Sequence, residues 1–305
     1  MQKKITENIF GTGIIVFAVA VVVALPLRMI QYFTVLEPST GFYSETGFTV
    51  WALYGVLLIA AAALAVAGFT KRKTTALSDQ AEKLPGCGAF SAVAAAGCIF
   101  DFINCFMTIN RNGEEILTSV SEEAVSTLQT LNKVFVLQAI FAVASALFFI
   151  LSAVGFFTGK GSGERYKLLS LTPVMWEVFR LISRFTRSIS FIRVSELMLE
   201  MLMLAFFILF FAAYAQANSR VGTAKNGSKI ASYGLIASML AFVCFVPRLI
   251  LTLFGKSDLL YSQSQLEYCD IACALFAVCT VATRIVYADP EAPIESEKEN
   301  GTVGE

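Results

Sequence analysis

Residues 166–218 read YKLLSLTPVMWEVFRLISRFTRSISFIRVSELMLEMLMLAFFILFFAAYAQAN: two membrane-length segments with charges inside them. In the first, Glu177, Arg180, Arg184 and Arg187 follow at spacings of three, four and three, so all four lie along one stripe of a helix. The second opens with Glu196 and Glu200, one turn apart, and then runs apolar from Met201 to Ala213. An ionised side chain at the centre of a membrane helix costs roughly 2.5–3.5 kcal/mol. Three of them within Glu177–Arg184 would cost about 8–10 kcal/mol against lipid. The apolar side chains of that segment do not offset such a sum. The stripe therefore faces protein, water or a ligand, or the segment lies flat at the interface.

An antiparallel hairpin turning near Phe191–Ile192 resolves the conflict. It sets Arg187 opposite Glu196 and Arg184 opposite Glu200, while Glu177 and Arg180 pair within their own helix. Arg187, Glu196 and Glu200 are on this reading structural ion-pair residues.

Working outward, the whole chain shares this character. It has 305 residues, 56% hydrophobic and 15% charged, with mean hydropathy +0.69. That is the composition of a polytopic membrane protein rather than of a soluble domain. Net charge is zero and no basic, aromatic-interleaved surface is present, so nucleic acid is not an expected partner. The absence of histidine removes HExxH metalloproteases, Ser–His–Asp and Cys–His hydrolases and His-ligated haem. No enzyme activity, cofactor or metal is expected. The seven cysteines form no CxxC pair, and all but Cys87 fall in apolar runs, as small buried hydrophobes do.

Apolar runs bounded by polar loops predict an all-α transmembrane bundle of eight spans, arranged as four helical hairpins. The spans fall at about 9–30, 48–69, 88–109, 134–157, 168–187, 196–217, 230–254 and 266–288. The transmembrane domain thus covers 1–288, and 289–305 is expected to be a disordered acidic cytoplasmic tail. The first span is read as an anchor, since no small-x-small cleavage site follows Leu25. The polar stretch Asn110–Lys133 is read as a loop with a short surface helix.

Of the 23 Lys and Arg, 13 lie in segments on the N-terminal side of the membrane and 5 in the loops opposite, the rest lying within spans. This bias predicts both termini inside a cytoplasmic membrane crossed many times. It also argues against a flat interfacial helix at 166–193, which would move Arg220, Lys225 and Lys229 to the outer side. The first and last hairpins share a pattern: Gly13 and Gly234 each precede a proline, Pro26 or Pro247, by thirteen residues, with Arg28 or Arg248 close behind. The pattern fits either four related hairpins, running parallel rather than inverted, or coincidence.

Pro26-Leu-Arg-Met-Ile-Gln31, followed by Leu36-Glu-Pro-Ser-Thr-Gly-Phe42, resembles a pattern in multi-spanning membrane proteins of anaerobic Gram-positive bacteria, a group with no assigned activity. The resemblance covers about twenty residues. It implies a bacterial cytoplasmic membrane protein and transfers no functional residue.

Function must therefore come from the bundle itself. Arg28, Arg180, Arg184 and Arg248 fall in or near one half of the membrane, where forked guanidinium donors suit a carboxylate or phosphate. Asp101, with Asn104 one turn on, is an intramembrane acid and so a second candidate. The leading expectation is small-molecule transport or ligand binding, with an anionic ligand held by Arg180 and Arg184 and with Glu177 positioning them. The alternative is a non-catalytic sensor, assembly or accessory subunit in which these charges only lock helices together. A cavity reaching Arg180 favours the first; a dry, fully paired network favours the second.

Overall fold

The computed structural model describes residues 9–38, 43–45, 47–69, 75–77, 83–118, 122–159, 167–186, 194–219, 226–260 and 267–287. The tail from 289 on, Arg187 and the side chain of Glu196 lie outside them, so the Arg187–Glu196 pairing does too.

Among the described residues eight α-helices form the bundle: α1 (Ile9–Thr34), α2 (Phe48–Phe69), α3 (Pro85–Thr118), α4 (Glu122–Thr158), α5 (Thr172–Thr186), α6 (Val194–Asn218), α7 (Asn226–Leu253) and α8 (Tyr268–Arg284). Six of them, α1 to α4, α6 and α7, are long and apolar enough to cross a membrane. In hydrocarbon a helix satisfies every backbone group internally, which is why such sequences take this form. The two shorter helices are α5, which carries the charged stripe, and α8.

Two elements differ from the expected boundaries. The polar stretch 110–133 is no open loop, because α3 and α4 run through it to within three residues of each other. Asn112 Nδ2 donates to Asn132 Oδ1 at 2.8 Å, and Leu131, Phe135, Ala139 and Cys105 pack below them as a small separate core. At 34 and 37 residues these helices reach roughly 50 Å at 1.5 Å per residue, well beyond a hydrocarbon core of about 30 Å. The second difference is at the other end. The eighth helical segment stops at Arg284, and Ile285–Tyr287 form a three-residue antiparallel ladder with Thr75–Leu77.

Helix α7 is the hub, packed against α1, α2, α6 and α8 and buried along most of its length. Its orientation relative to α1 follows from two contacts. A Cβ on Gly13 would lie 3.4 Å from Leu235, near the start of α7, and Tyr32 meets Arg248 near the end. The helices α1 and α7 are therefore parallel. Helix α3 runs antiparallel to α8. Gly86 faces Cys279, and a Cβ on Gly97 would stand 3.0 Å from the backbone of Cys269, so glycine permits this close approach.

An aromatic layer fills the middle of the bundle. Phe149 of α4, Phe210 and Phe211 of α6 and Phe276 of α8 are almost fully buried, with ring centroids 5.0–6.4 Å apart in mainly edge-to-face contacts. Above this layer, at the end where α1 and α7 finish and α6 and α8 begin, the interior turns polar.

Candidate functional site: a charged network at one end of the bundle

Helix α5 is strongly amphipathic. Its outward face carries Met175, Ile182 and Phe185, with Leu168 and Leu171 exposed just before it, and its inward face carries Trp176, Glu177, Arg180 and Ser183. Arg180 is enclosed by acids. Its guanidinium meets Glu177 at 2.9 Å, one turn back on the same helix, and Glu267 at 2.6 Å, and it also contacts Asp270. One turn further on, Arg184 contacts both Glu267 and Glu200. Glu200 turns its other oxygen to Arg248, 2.5 Å away.

The chain of contacts continues into α1. Arg248 Nε donates to the Tyr32 hydroxyl at 3.4 Å, and Arg28 stacks over the Tyr32 ring, 4.9 Å from its centroid. Arg28 also donates to Gln31 Oε1 at 2.9 Å and to the Tyr43 hydroxyl at 2.8 Å. Gln31 Nε2 in turn donates to the carbonyl of Thr49, the second residue of α2. Six helices are stitched together by one run of polar contacts.

Asp101 joins from α3 by another route. It accepts from Gln138 Nε2 of α4 at 3.0 and 3.2 Å and from Trp176 Nε1 at 2.7 Å. The same indole lies under the Arg180 guanidinium, 5.0 Å from its centroid. A cation over the ring draws electron density from it and strengthens the N–H as a donor, so Trp176 couples Arg180 to Asp101 without direct contact.

Between Asp101, Gln138, Arg180, Arg184, Ser183 and Glu267 lies a cavity of about 30 Å³. A water needs about 10–15 Å³ on this scale, so the space holds one or two waters or a single ion. It does not hold an organic anion in this state.

All six candidate binding residues therefore lie in one connected region: Arg28, Asp101, Glu177, Arg180, Arg184 and Arg248. The hairpin residues Arg184 and Glu200 touch. Asn104 lines the cavity beside Asp101. Sequence reasoning passed over Glu267, Trp176 and Tyr32; Asp270 was legible as an acid inside the last apolar run and a partner for the arginines. One signal was present: Glu267 and Asp270 repeat, at the mouth of α8, the three-residue spacing of Glu177 and Arg180 on α5. Glu267, Cys269 and Asp270 offer metal-ligand atoms within 4.8 Å of one another, but both carboxylates are taken by guanidiniums whose charge opposes a metal ion there.

No family model, curated protein or solved structure matches this chain.

Proposed function

We propose that this multi-pass membrane protein binds, and carries across the bilayer, a small anionic solute at Arg180 and Arg184. The observation that supports the reading is Glu267. Its carboxylate bridges two arginines of α5, the arrangement a carboxylate or phosphate ligand would adopt. It is also the most exposed acid of the network, at 23% against 0% for Glu177, and stands just before α8 rather than inside it. Glu267 holds the place of the ligand in a closed state, and Glu177 fixes Arg180 from behind. A bound anion displaces Glu267 and opens the 30 Å³ cavity to its own size. The reading places the protein in a cytoplasmic membrane with both termini inside and assigns it no catalysis.

The test is thermal stability of detergent-purified protein across organic anions, phosphates, cations and neutral solutes. A ligand at a hundredfold excess over its dissociation constant stabilises the folded state by about 2.7 kcal/mol. One anion class should stabilise wild type, act on Glu267→Gln at lower concentration, and not act on folded Arg184→Gln. If no anion acts on either wild type or Glu267→Gln, the reading fails.

The density of pairing supports a second reading, a sensor or assembly subunit whose charges only fix helix positions. Arg180 alone meets three carboxylates. On that reading Glu267→Gln and Arg184→Gln both destabilise and no solute restores either.

A further inference from the structure

Asp101 differs from the other acids of the network. Among the described residues Glu177, Glu200, Glu267 and Asp270 each form a salt bridge with an arginine, whereas Asp101 takes only the neutral donors Gln138 and Trp176. Gln138 is itself nearly fully buried and lines the cavity with Asp101. Its Nε2 faces the carboxylate, which fixes the amide orientation, and its Oε1 is a buried acceptor with no donor. Glu177 Oε1, also buried, has none either. Acceptors left in this condition call for a positive charge or a donor from outside the protein.

The local charge balance points the same way. Among the described residues of the network four guanidiniums, Arg28, Arg180, Arg184 and Arg248, stand with five carboxylates, Asp101, Glu177, Glu200, Glu267 and Asp270. An anion arriving at Arg180 and Arg184 enlarges that imbalance in a medium that screens poorly.

We infer that the cavity beside Asp101 binds a single positive charge, delivered as a proton or as a sodium-sized cation. Asp101 supplies the carboxylate and Gln138 Oε1 the neutral oxygen. The charge enters with the anion and compensates it, so this inference rests on the anion reading for its role but not for the site itself. Asn104, Thr108 and Ser183 line the same space with further oxygens, as a desolvated ion requires. The titratable and charged groups facing Asp101 or its cavity are Cys98 of its own helix, Glu177, Arg180 and Arg184 of α5, and Glu267 and Cys269 at the start of α8; α4 contributes the neutral Gln138. Trp176 transmits occupancy of the site to Arg180.

The protein carries its own probe. It has two tryptophans, and Trp51 is lipid-facing at 71% exposure. In Trp51→Phe the emission of Trp176 reports the charge on Asp101 directly, with no anion present. Emission is followed against pH at fixed sodium, and against sodium replacing choline at fixed pH. A response in either arm that is lost in Trp51→Phe/Asp101→Asn supports the site and identifies its ligand. No response in either arm, or a response unchanged by Asp101→Asn, overturns it. Gln138→Leu gives an independent check should Asp101→Asn not fold. Losing Nε2–H makes Asp101 hold a proton more tightly, and losing Oε1 makes it hold a metal cation about tenfold less tightly. A midpoint that does not move overturns the assignment. Because no anion is added, failure of the anion panel and failure of this site give different results.

Discussion

Glu267 and Arg180 are 87 positions apart in sequence, and their charged atoms stand 2.6 Å apart. That contact ties the mouth of α8 to the middle of α5, two helices that are each shorter than an ordinary membrane span. Neither holds its place by an apolar surface alone; the ion pairs supply the positional constraint.

The four acids around the α5 arginines are unequal partners in stability. Arg180→Gln leaves Glu177, Glu267 and Asp270 together without their shared cation. Removing one member of a buried pair costs about 3–5 kcal/mol. Glu177→Gln removes one charge from an acid excess and should cost clearly less. Chemical denaturation in mixed micelles compares the two, and equal losses would contradict the charge balance described above.

Glu200 bridges Arg184 and Arg248, so these arginines on different helices should be thermodynamically coupled. A double-mutant cycle of Arg184→Gln and Arg248→Gln is expected to show an interaction energy of roughly 0.5–3 kcal/mol. The same cycle in a Glu200→Gln background should give a value close to zero. Coupling that persists without Glu200 would mean that the bridge is not its carrier.

Gly97 permits α3 to approach α8 to within 3.0 Å of a would-be Cβ. Gly97→Val should therefore destabilise the protein by about 1–3 kcal/mol, the usual cost of overpacking. The displacement would also draw Asp101 away from the α8 acids. Thermal unfolding followed by Trp176 emission checks both effects, and an unchanged midpoint would show that the helices separate freely.

Cys87 and Cys279 join the opposite end of the same helix pair, with Sγ atoms 3.1 Å apart. A diazene oxidant should take two hydrogens and two electrons from the pair, forming one disulfide between α3 and α8. The protein would lose the mass of two hydrogens, and Cys279→Ser would not. Intact-mass measurement after mild oxidation decides it; alkylation of both thiols with no mass loss would exclude the proximity.

Helical character was legible because every apolar run is bounded by charge, and Arg184 facing Glu200 follows from hairpin geometry alone. Both rest on contacts between neighbouring segments. The ends of α3 and α4 were less legible. Polar residues from Asn110 to Lys133 resemble a loop by composition, yet the Asn112–Asn132 bond and the Phe135 cluster keep them helical. The hub position of α7 and the place of Glu267 were not legible at all. Each depends on which non-adjacent helices meet, and a helix sequence reports which face is apolar without naming the neighbour that covers it.

The aromatic layer also bears on the response to a membrane voltage. Phe276 lies six residues below Asp270 on α8, about 9 Å along the axis. Asp101 is sixteen residues above Pro85, about 24 Å from the far end of α3. A charge that moves from Asp101 toward that far end therefore has to pass the level of these buried phenyl rings. A charge that reaches Asp101 from the network end stops short of that layer, so its binding should respond less to voltage than its passage beyond Phe276. Any step that carries charge past Phe276 crosses more of the potential, where a full crossing exchanges about 2.3 kcal/mol per 100 mV for each elementary charge.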